Sequence, residues 1–244
     1  MIIRETHIDK WVTTLLRNKE VEESAKHISS GKLSAGMLGQ PLQWQILKMK
    51  GIKAKGFDDY TLRKFARGND VEAWLVDKIP ALVETQKKLE FMGAVGIADA
   101  IVSTNSYDAN VGIIPHEIKS VTNRKYAMIV KSKQADRGHI FQACFYALAM
   151  KSSHFAIDYV ASDDYRILTF VYKTSEHSKE VKQVIKRFDE QLATGLIPVF
   201  VAEEKWQENF KYNSYPEWSN LTVEEIKEKY ESENGEETKK TISK

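Results

Sequence analysis

The chain has 244 residues, of which 42% are hydrophobic and 29% are charged, and its net charge is +2. These proportions are those of a soluble globular protein with one main core. The single cysteine excludes a disulfide framework, and no apolar run reaches the roughly 18 residues of a membrane span. Charged residues near the start argue against a secretory signal, so we expect a cytoplasmic protein with no membrane partner.

The first third of the chain has the periodicity of helices. Amphipathic spacing predicts a helix over residues 6–27 and another over 60–79. Between them, residues 33–50 predict a helix that is interrupted early by Gly39 and Pro41.

The middle of the chain predicts strands. Partial alternation favours a first strand over residues 82–92. Two apolar runs with β-branched residues, 95–102 and 112–121, flank a polar stretch at 103–110. This pattern is typical of a β-hairpin.

The remaining elements complete an α/β (α+β) fold, with a mixed central sheet flanked by helices. We expect a basic loop over 122–137, a helix over 138–151, strands over 155–160 and 166–172, and a helix over 175–194 closed by Gly195.

A single domain over residues 1–230 follows from this order. It divides into a helical N-terminal part (1–80), a core (81–195) and a closing segment (196–230), and the composition of 231–244 predicts a disordered tail.

Two acids and a lysine mark the hairpin. If its turn is centred on Asp108, antiparallel pairing places Asp99 directly opposite Glu117. Opposed side chains have Cβ atoms about 4.5–5.5 Å apart, a spacing at which two carboxylates can share a metal ion. Lys119 follows Glu117 by two residues and therefore projects from the same strand face.

This combination suits phosphodiester hydrolysis. Mg²⁺ or Mn²⁺ prefers carboxylate and carbonyl oxygens, which Asp99, Glu117 and the carbonyl of Ile118 can supply. Lys119 can orient or help deprotonate the attacking water and offset charge on the phosphate. Apolar neighbours surround these charges, and buried charges must pair or bind metal.

Gln142 and Tyr146 lie four residues apart in the apolar helix, so both can point from one face towards a phosphate. On the upstream helix, Glu72 can project inward as a third acid, with Asp70 as its rival.

Basic residues cluster around these motifs. Residues 45–68 and 119–139 each carry five more bases than acids, which favours salt-sensitive binding to a phosphate backbone. Lys131, Lys133 and Arg137 are candidate DNA contacts in the second cluster.

At these residues the chain resembles the PD-(D/E)XK nuclease superfamily, whose hallmark is a hairpin bearing an acid followed by Glu-x-Lys. It looks closest to the branch that contains RecB-type nuclease domains, CRISPR-associated adaptation nucleases and lambda-exonuclease-like phage nucleases. That branch adds Gln-x-x-x-Tyr, matched by residues 142–146, and an upstream glycine and acid, matched by 68–72. The resemblance covers about residues 33–172.

The resemblance implies a restriction-endonuclease-like core, two Mg²⁺ or Mn²⁺ ions, DNA as the partner, and Glu72 as a metal ligand. It also implies a recombination or single-strand-binding partner protein and an N-terminal channel wall with Ser34, Gln43 and Gln45 as phosphate contacts. Many RecB-type relatives hold an iron–sulfur cluster through four cysteines. With Cys144 alone, no such cluster is expected, and aromatic residues of 211–218 are expected to close the domain instead.

Three functions are compatible with these features. The leading hypothesis is a metal-dependent DNA exonuclease of phage recombination or repair type. The alternatives are a structure-selective endonuclease or junction resolvase, and a DNA-binding protein that has lost turnover. Strand polarity, end preference and oligomeric state depend on channel shape and stay open.

Overall fold

A computed structural model describes residues 7–26, 31–104 and 112–242. The helices are α1 (His7–Lys26), α2 (Leu42–Met49), α3 (Asp59–Val76), α4 (Asn123–Ser132), α5 (Arg137–Met150), α6 (Thr174–Ala193) and α7 (Val223–Ile242). The strands are β1 (Leu82–Phe91), β2 (Ala94–Ser103), β3 (Ile113–Val121), β4 (His154–Ala161) and β5 (Ile167–Lys173). None of the helices in these ranges is both long and apolar enough to cross a membrane.

The five strands form one mixed sheet in the order β1-β2-β3-β4-β5. Neighbouring strands are antiparallel except β3 and β4, which run parallel and are connected through α4 and α5. The predicted mixed sheet flanked by helices is therefore confirmed.

Helices cover both faces of this sheet. On one face α5 and α6 pack through side chains such as Phe145 and Ile185 to form the larger core. On the other face, Val71 and Leu75 of α3 form a smaller core against Ala100 and Ile118. The sheet is thus the middle layer of three.

The predicted hairpin register is confirmed as far as the ladder extends. Ala100 pairs with His116 and Ser103 with Ile113, as a turn centred on Asp108 requires. The turn itself falls on residues 105–111, outside the described residues.

Two local predictions were wrong. The basic stretch 122–137, predicted to be a loop, contains helix α4, which Thr122 caps by accepting a hydrogen bond from the Lys125 amide. Only Tyr126 and Ile129 of α4 are buried, so the apolar signal is short and the basic residues obscure it. The single interrupted helix over 33–50 is instead a 3-10 turn, Ala35–Met37, followed by α2.

The C-terminal part of the chain consists of helix α7 and a closing segment before it that packs on the core. The backbone of α7 is helical to Ile242, whereas the composition favours disorder from residue 231. In the closing segment, Tyr215 and Trp218 are buried in the larger core, as the aromatic composition of 211–218 suggests.

Gly96 fixes the distance between β2 and its covering layer. A Cβ at this position would lie 2.7 Å from both Ala35 Cβ and Tyr146 Cε1, and 3.3 Å from Phe145 Cε1. The absence of a side chain therefore lets α5 and the 3-10 turn approach the strand closely. The position of Tyr146 depends on this contact.

We expect Gly96→Ala to lower the free energy of unfolding by about 1–3 kcal/mol, because the added methyl overlaps well-packed side chains. Gly68→Ala is the matched control: it lies in α3 with nothing within 4 Å of its Cβ position, so it should stabilise the protein by up to about 1 kcal/mol. Urea titrations of both variants measure the change in the free energy of unfolding, which should be negative for Gly96→Ala and zero or positive for Gly68→Ala. Equal stability of Gly96→Ala and the parent would contradict the packing argument.

Candidate active site

Glu117 and Lys119 form an ion pair on one face of β3, as the strand alternation predicts. The Glu117 side chain is 1% exposed and that of Lys119 is 27% exposed. The Lys119 ammonium contacts Glu117 Oε1, while Oε2 is buried and has no hydrogen-bond partner among the described residues. A buried carboxylate oxygen without a donor is costly, so this atom is suited to a cation.

Asp99 of β2 lies beside this pair. The ladder between β2 and β3 ends with Ala100 paired to His116, so Asp99 lies one residue beyond the last pair, where the same register would place it opposite Glu117. Its Oδ2 atom accepts a hydrogen bond of 2.7 Å from the Ile118 amide. The carboxylate is thereby anchored to the β3 backbone between Glu117 and Lys119.

A strand irregularity directs Asp99 towards this position. Ala98 belongs to the larger core and Ala100 to the smaller core on the opposite face, although residues two apart in a regular strand share a face. Opposite Asp99, between the paired residues Thr85 and Lys87, Gln86 has a left-handed φ of 49°. Both strands therefore depart from regular geometry at the acid.

Gln86 also contacts the third acid. Its amide donates a 2.6 Å hydrogen bond to Glu72 Oε1, and the charge of Asp99 helps raise the pKa of Glu72, second to burial. The structure therefore brings Glu72 to the Asp99 side of the site. Asp70, its rival, is exposed and forms no hydrogen bond or ion pair with these groups in the part of the chain that the structure describes.

The charges of the site are mutually dependent. Burial raises the pKa of Glu117 to about 7, with Asp99 adding to the effect and Lys119 opposing it. Burial also raises the pKa of Asp99, against the hydrogen bond from Ile118. For Lys119, burial disfavours the ammonium, but Glu117 and the other carboxylates outweigh it and raise its pKa. The acids thus hold Lys119 charged.

Gln142 and Tyr146 share one face of α5, as predicted. The Gln142 amide donates a 2.9 Å hydrogen bond to the Tyr146 hydroxyl. Burial and then the charge of Glu117 raise the pKa of Tyr146, so the phenol stays protonated and can donate. This pair lies over the Glu117 side of the site.

Two clefts meet at Gln142. Both Gln142 and Gly36 line each of them. The larger, about 860 Å³, includes Tyr146 and is bordered by Lys48 and Lys88. The smaller, about 390 Å³, includes Lys119 and is bordered by His139 and Trp206. Tyr146 and Lys119 thus connect the site to these clefts, whereas Asp99 and Glu117 line neither of them.

Sequence reasoning missed the wall of the smaller cleft. Burial, and then Lys119, lower the pKa of His139 to about 4, and its Nδ1 lies 2.8 Å from the Tyr159 hydroxyl. Trp206 belongs to a 3-10 turn, Lys205–Glu208, far along the chain. A histidine at the start of a helix and an isolated tryptophan carry no motif, so only the fold reveals them.

The candidate DNA contacts are dispersed. Ser34 lines the larger cleft. Arg137 pairs with Glu203 at 3.6 Å and lies over the Phe141 ring. Lys131 and Lys133 are exposed at the end of α4 and line neither cleft.

Gln43 and Gln45 do not fit their expected role as phosphate contacts. Both are buried, at 0% and 1% exposure. Gln43 donates to the carbonyls of Pro198 and Trp218, and Gln45 donates to backbone carbonyls within its own segment. Both side-chain NH2 groups are therefore engaged by backbone carbonyls, although Gln45 also borders the larger cleft.

Within the described residues, no group of three or more His, Cys, Asp or Glu side chains forms a metal-binding cluster. The fit of a metal therefore depends on Asp99 and Glu117 together with non-side-chain ligands. Cys144 is fully buried in the larger core, as expected for a lone thiol acting as a small apolar side chain.

Neither a family model nor a curated protein matches the sequence. Among solved structures, the protein SSO0001 aligns with a TM-score of 0.55 and 16% identity, over 86% of this chain and 98% of that one. An alkaline exonuclease from Laribacter hongkongensis aligns with a TM-score of 0.48 and 13% identity, over 67% and 91%. A phage-related exonuclease from Haemophilus somnus gives 0.43 and 14%, over 67% and 96%. The alignment with SSO0001 shows a similar fold.

The raised pKa of Glu117 has a consequence for stability. The folded protein keeps a proton on Glu117 up to about pH 7, whereas the unfolded chain releases it near 4.5. In metal-free buffer, stability should therefore fall as pH rises between these values. We expect Glu117→Gln to remove part of this loss, so that its melting temperature exceeds that of the parent above pH 7 but not below 4.5.

Thermal melts in the presence of a chelator, across this pH range, measure the effect. Glu180→Gln, an exposed acid of α6 beyond its first turn, is the control and should melt like the parent at every pH. A Glu117→Gln variant that melts below the parent above pH 7 would contradict the burial argument.

Proposed function

We propose that this protein is a metal-dependent deoxyribonuclease and, more narrowly, an exonuclease of the phage recombination or repair type. The observation that carries the proposal is the buried Glu117–Lys119 pair with Asp99 beside it, whose lysine lines the smaller cleft. The exonuclease assignment rests on the sequence resemblance to lambda-exonuclease-like proteins.

The residues present fit a hard divalent cation. Glu117 Oε2 is a buried oxygen without a hydrogen-bond donor among the described residues, and Asp99 adds a second carboxylate next to it. Because no cluster of three metal-binding side chains forms in that part of the chain, the Ile118 carbonyl, water and phosphate must complete the coordination. Mg²⁺ commonly binds through one or two carboxylates and retains water.

Asp99, Glu117 and the Ile118 carbonyl would therefore hold Mg²⁺ or Mn²⁺, with Glu72 as a further acid on the Asp99 side. When bound, such ions neutralise phosphate charge and lower the pKa of water. The two-ion arrangement expected from the resemblance stays part of the proposal. DNA is the partner, and its strand would enter through the clefts.

The remaining side chains act on the phosphate and the water. Lys119, which the surrounding acids hold charged, donates hydrogen bonds that orient water or offset charge on the phosphate. Gln142 and the protonated Tyr146 hydroxyl donate to phosphate oxygens. In the reaction, water forms a bond to phosphorus, the bond to the departing oxygen breaks, and that oxygen takes a proton.

Metal binding can be measured without turnover. We expect Mn²⁺ to raise the melting temperature of the parent, because a ligand that binds only the folded state stabilises it. Asp99→Asn and Glu117→Gln should reduce this shift, whereas Glu180→Gln should retain it. An identical Mn²⁺ shift in all four proteins would place the ion elsewhere.

Cleavage tests the chemistry. With linear, nicked and closed circular DNA and either Mg²⁺ or Mn²⁺, we expect degradation of linear DNA by the parent. Lys119→Ala and Glu117→Gln should lose at least about a hundredfold in rate, since charge-stabilising groups contribute that much. Tyr146→Phe should lose less, because Gln142 remains as a donor, and Lys186→Ala on α6 is the matched lysine control.

The DNA forms distinguish the alternatives. Cutting of closed circles would favour the structure-selective endonuclease or resolvase over the exonuclease. Binding without cutting under both metals would support the non-catalytic alternative and reject the enzyme. Full activity of Lys119→Ala would remove the site from the proposal.

A further inference from the structure

The smaller cleft has an exposed aromatic face beside the candidate site. Trp206 is 44% exposed and lines the cleft together with Lys119 and Gln142. Its indole Nε1 donates a 3.1 Å hydrogen bond to Glu204 Oε2. The polar edge of the ring is therefore occupied, while part of its surface remains open to solvent.

The turn that carries Trp206 is firmly attached. Gln207, next to it, is fully buried and accepts hydrogen bonds from the amides of Glu203 and Glu204 at 2.7 and 2.9 Å. Its own amide donates a 3.0 Å hydrogen bond to the Gly39 carbonyl. Gln207 therefore joins this turn to the N-terminal segment and anchors the backbone that carries Trp206.

A contact between two glycines connects this position to the active-site helix. A Cβ on Gly39 would overlap the Cα of Gly138 in the first turn of α5, so the two backbones approach as closely as glycine permits. α5 also carries Gln142. Trp206, the N-terminal segment and the candidate phosphate ligand are therefore parts of one packed unit.

Apart from Lys119 and Gln142, which belong to the candidate active site, the lining of the smaller cleft does not favour phosphate. It has two lysines and two acids, and Lys125 pairs with Asp136 at 3.0 Å while Lys119 pairs with Glu117. Positive and negative charges of the lining thus balance. A neutral, flat group that stacks on an aromatic ring suits this lining better than an anion does.

The size of the cleft limits the occupant. About 390 Å³ is at the low end of the range of small-molecule pockets, roughly 300–1,000 Å³. This volume suits a nucleotide and is too small for a base pair with its neighbours. In a duplex both faces of an internal base are stacked, so such a base reaches an aromatic side chain only after unstacking.

We propose that the smaller cleft binds one unstacked nucleobase of single-stranded DNA against Trp206, so that the strand passes the acidic site unpaired. The inference rests on the proposed function and adds to it a substrate class: a single strand, or a duplex end that has opened. Stacking on Trp206 is independent of sequence because every base has a π face.

The test compares a short fluorescent oligothymidylate with an oligonucleotide of the same length that lacks bases at its central positions. Binding is measured by anisotropy in the presence of a chelator, so that no turnover occurs. Trp206→Ala should weaken binding of oligothymidylate about tenfold and leave binding of the abasic strand unchanged, because stacking of one base contributes on that order. Trp206→Phe should retain most of the affinity.

Trp11→Ala is the matched control, since Trp11 is 76% exposed on α1. This variant should bind both oligonucleotides as tightly as the parent does. Equal losses on both strands for Trp206→Ala, or none, would overturn the proposal. Thermal melts check folding. If the alanine variant is unstable, Trp206→Leu replaces it, because leucine fills the space without an aromatic face and should show the same loss on oligothymidylate alone.

The outcomes separate this inference from the proposed function. A protein that binds oligothymidylate through Trp206 but cuts no DNA with Mg²⁺ or Mn²⁺ would retain the base site and lose the nuclease assignment. A protein that degrades linear DNA with the same KM in the parent and in Trp206→Ala would retain the nuclease and lose the base site.

Discussion

The burial of the Glu117 carboxylate beside Lys119 is the constraint on which the rest of the site depends. A carboxylate with 1% exposure is costly in a protein interior unless a cation or donors compensate for lost water. Lys119 compensates one oxygen and leaves the other without a donor among the described residues. Asp99, which accepts a hydrogen bond from the Ile118 amide, adds a second negative charge next to Glu117. The fold therefore maintains a buried carboxylate oxygen that no hydrogen bond from the described residues compensates.

Close backbone contacts bring the remaining groups to these acids. Gly96 lets α5 approach β2, which places Tyr146 near Glu117, and Gly39 with Gly138 brings the N-terminal segment against α5. Both contacts require glycine because a Cβ would overlap neighbouring atoms. The same packing forms the two clefts that meet at Gln142. The close packing of α5 thus determines both the clefts that open beside the site and the positions of its polar side chains.

Irregular strand geometry determines where Asp99 and Glu72 lie. β2 changes the face it presents at Asp99, and Gln86 opposite has a left-handed backbone and bonds to Glu72. Non-glycine residues in this conformation are uncommon and concentrate at functional sites. Here the irregularity serves to direct two acids, one from the sheet and one from α3, towards the same region.

The sequence by itself determined the sheet, the hairpin register and the shared faces of Glu117 with Lys119 and of Gln142 with Tyr146, because strand and helix periods act over a few residues. It could not reveal α4, whose apolar signal is only two residues, or the role of Gln43, whose partners Pro198 and Trp218 are distant in the chain. The left-handed Gln86, the glycine contacts and the wall containing Trp206 were decided by tertiary structure alone. Each depends on atoms far apart in the chain, which no local period encodes.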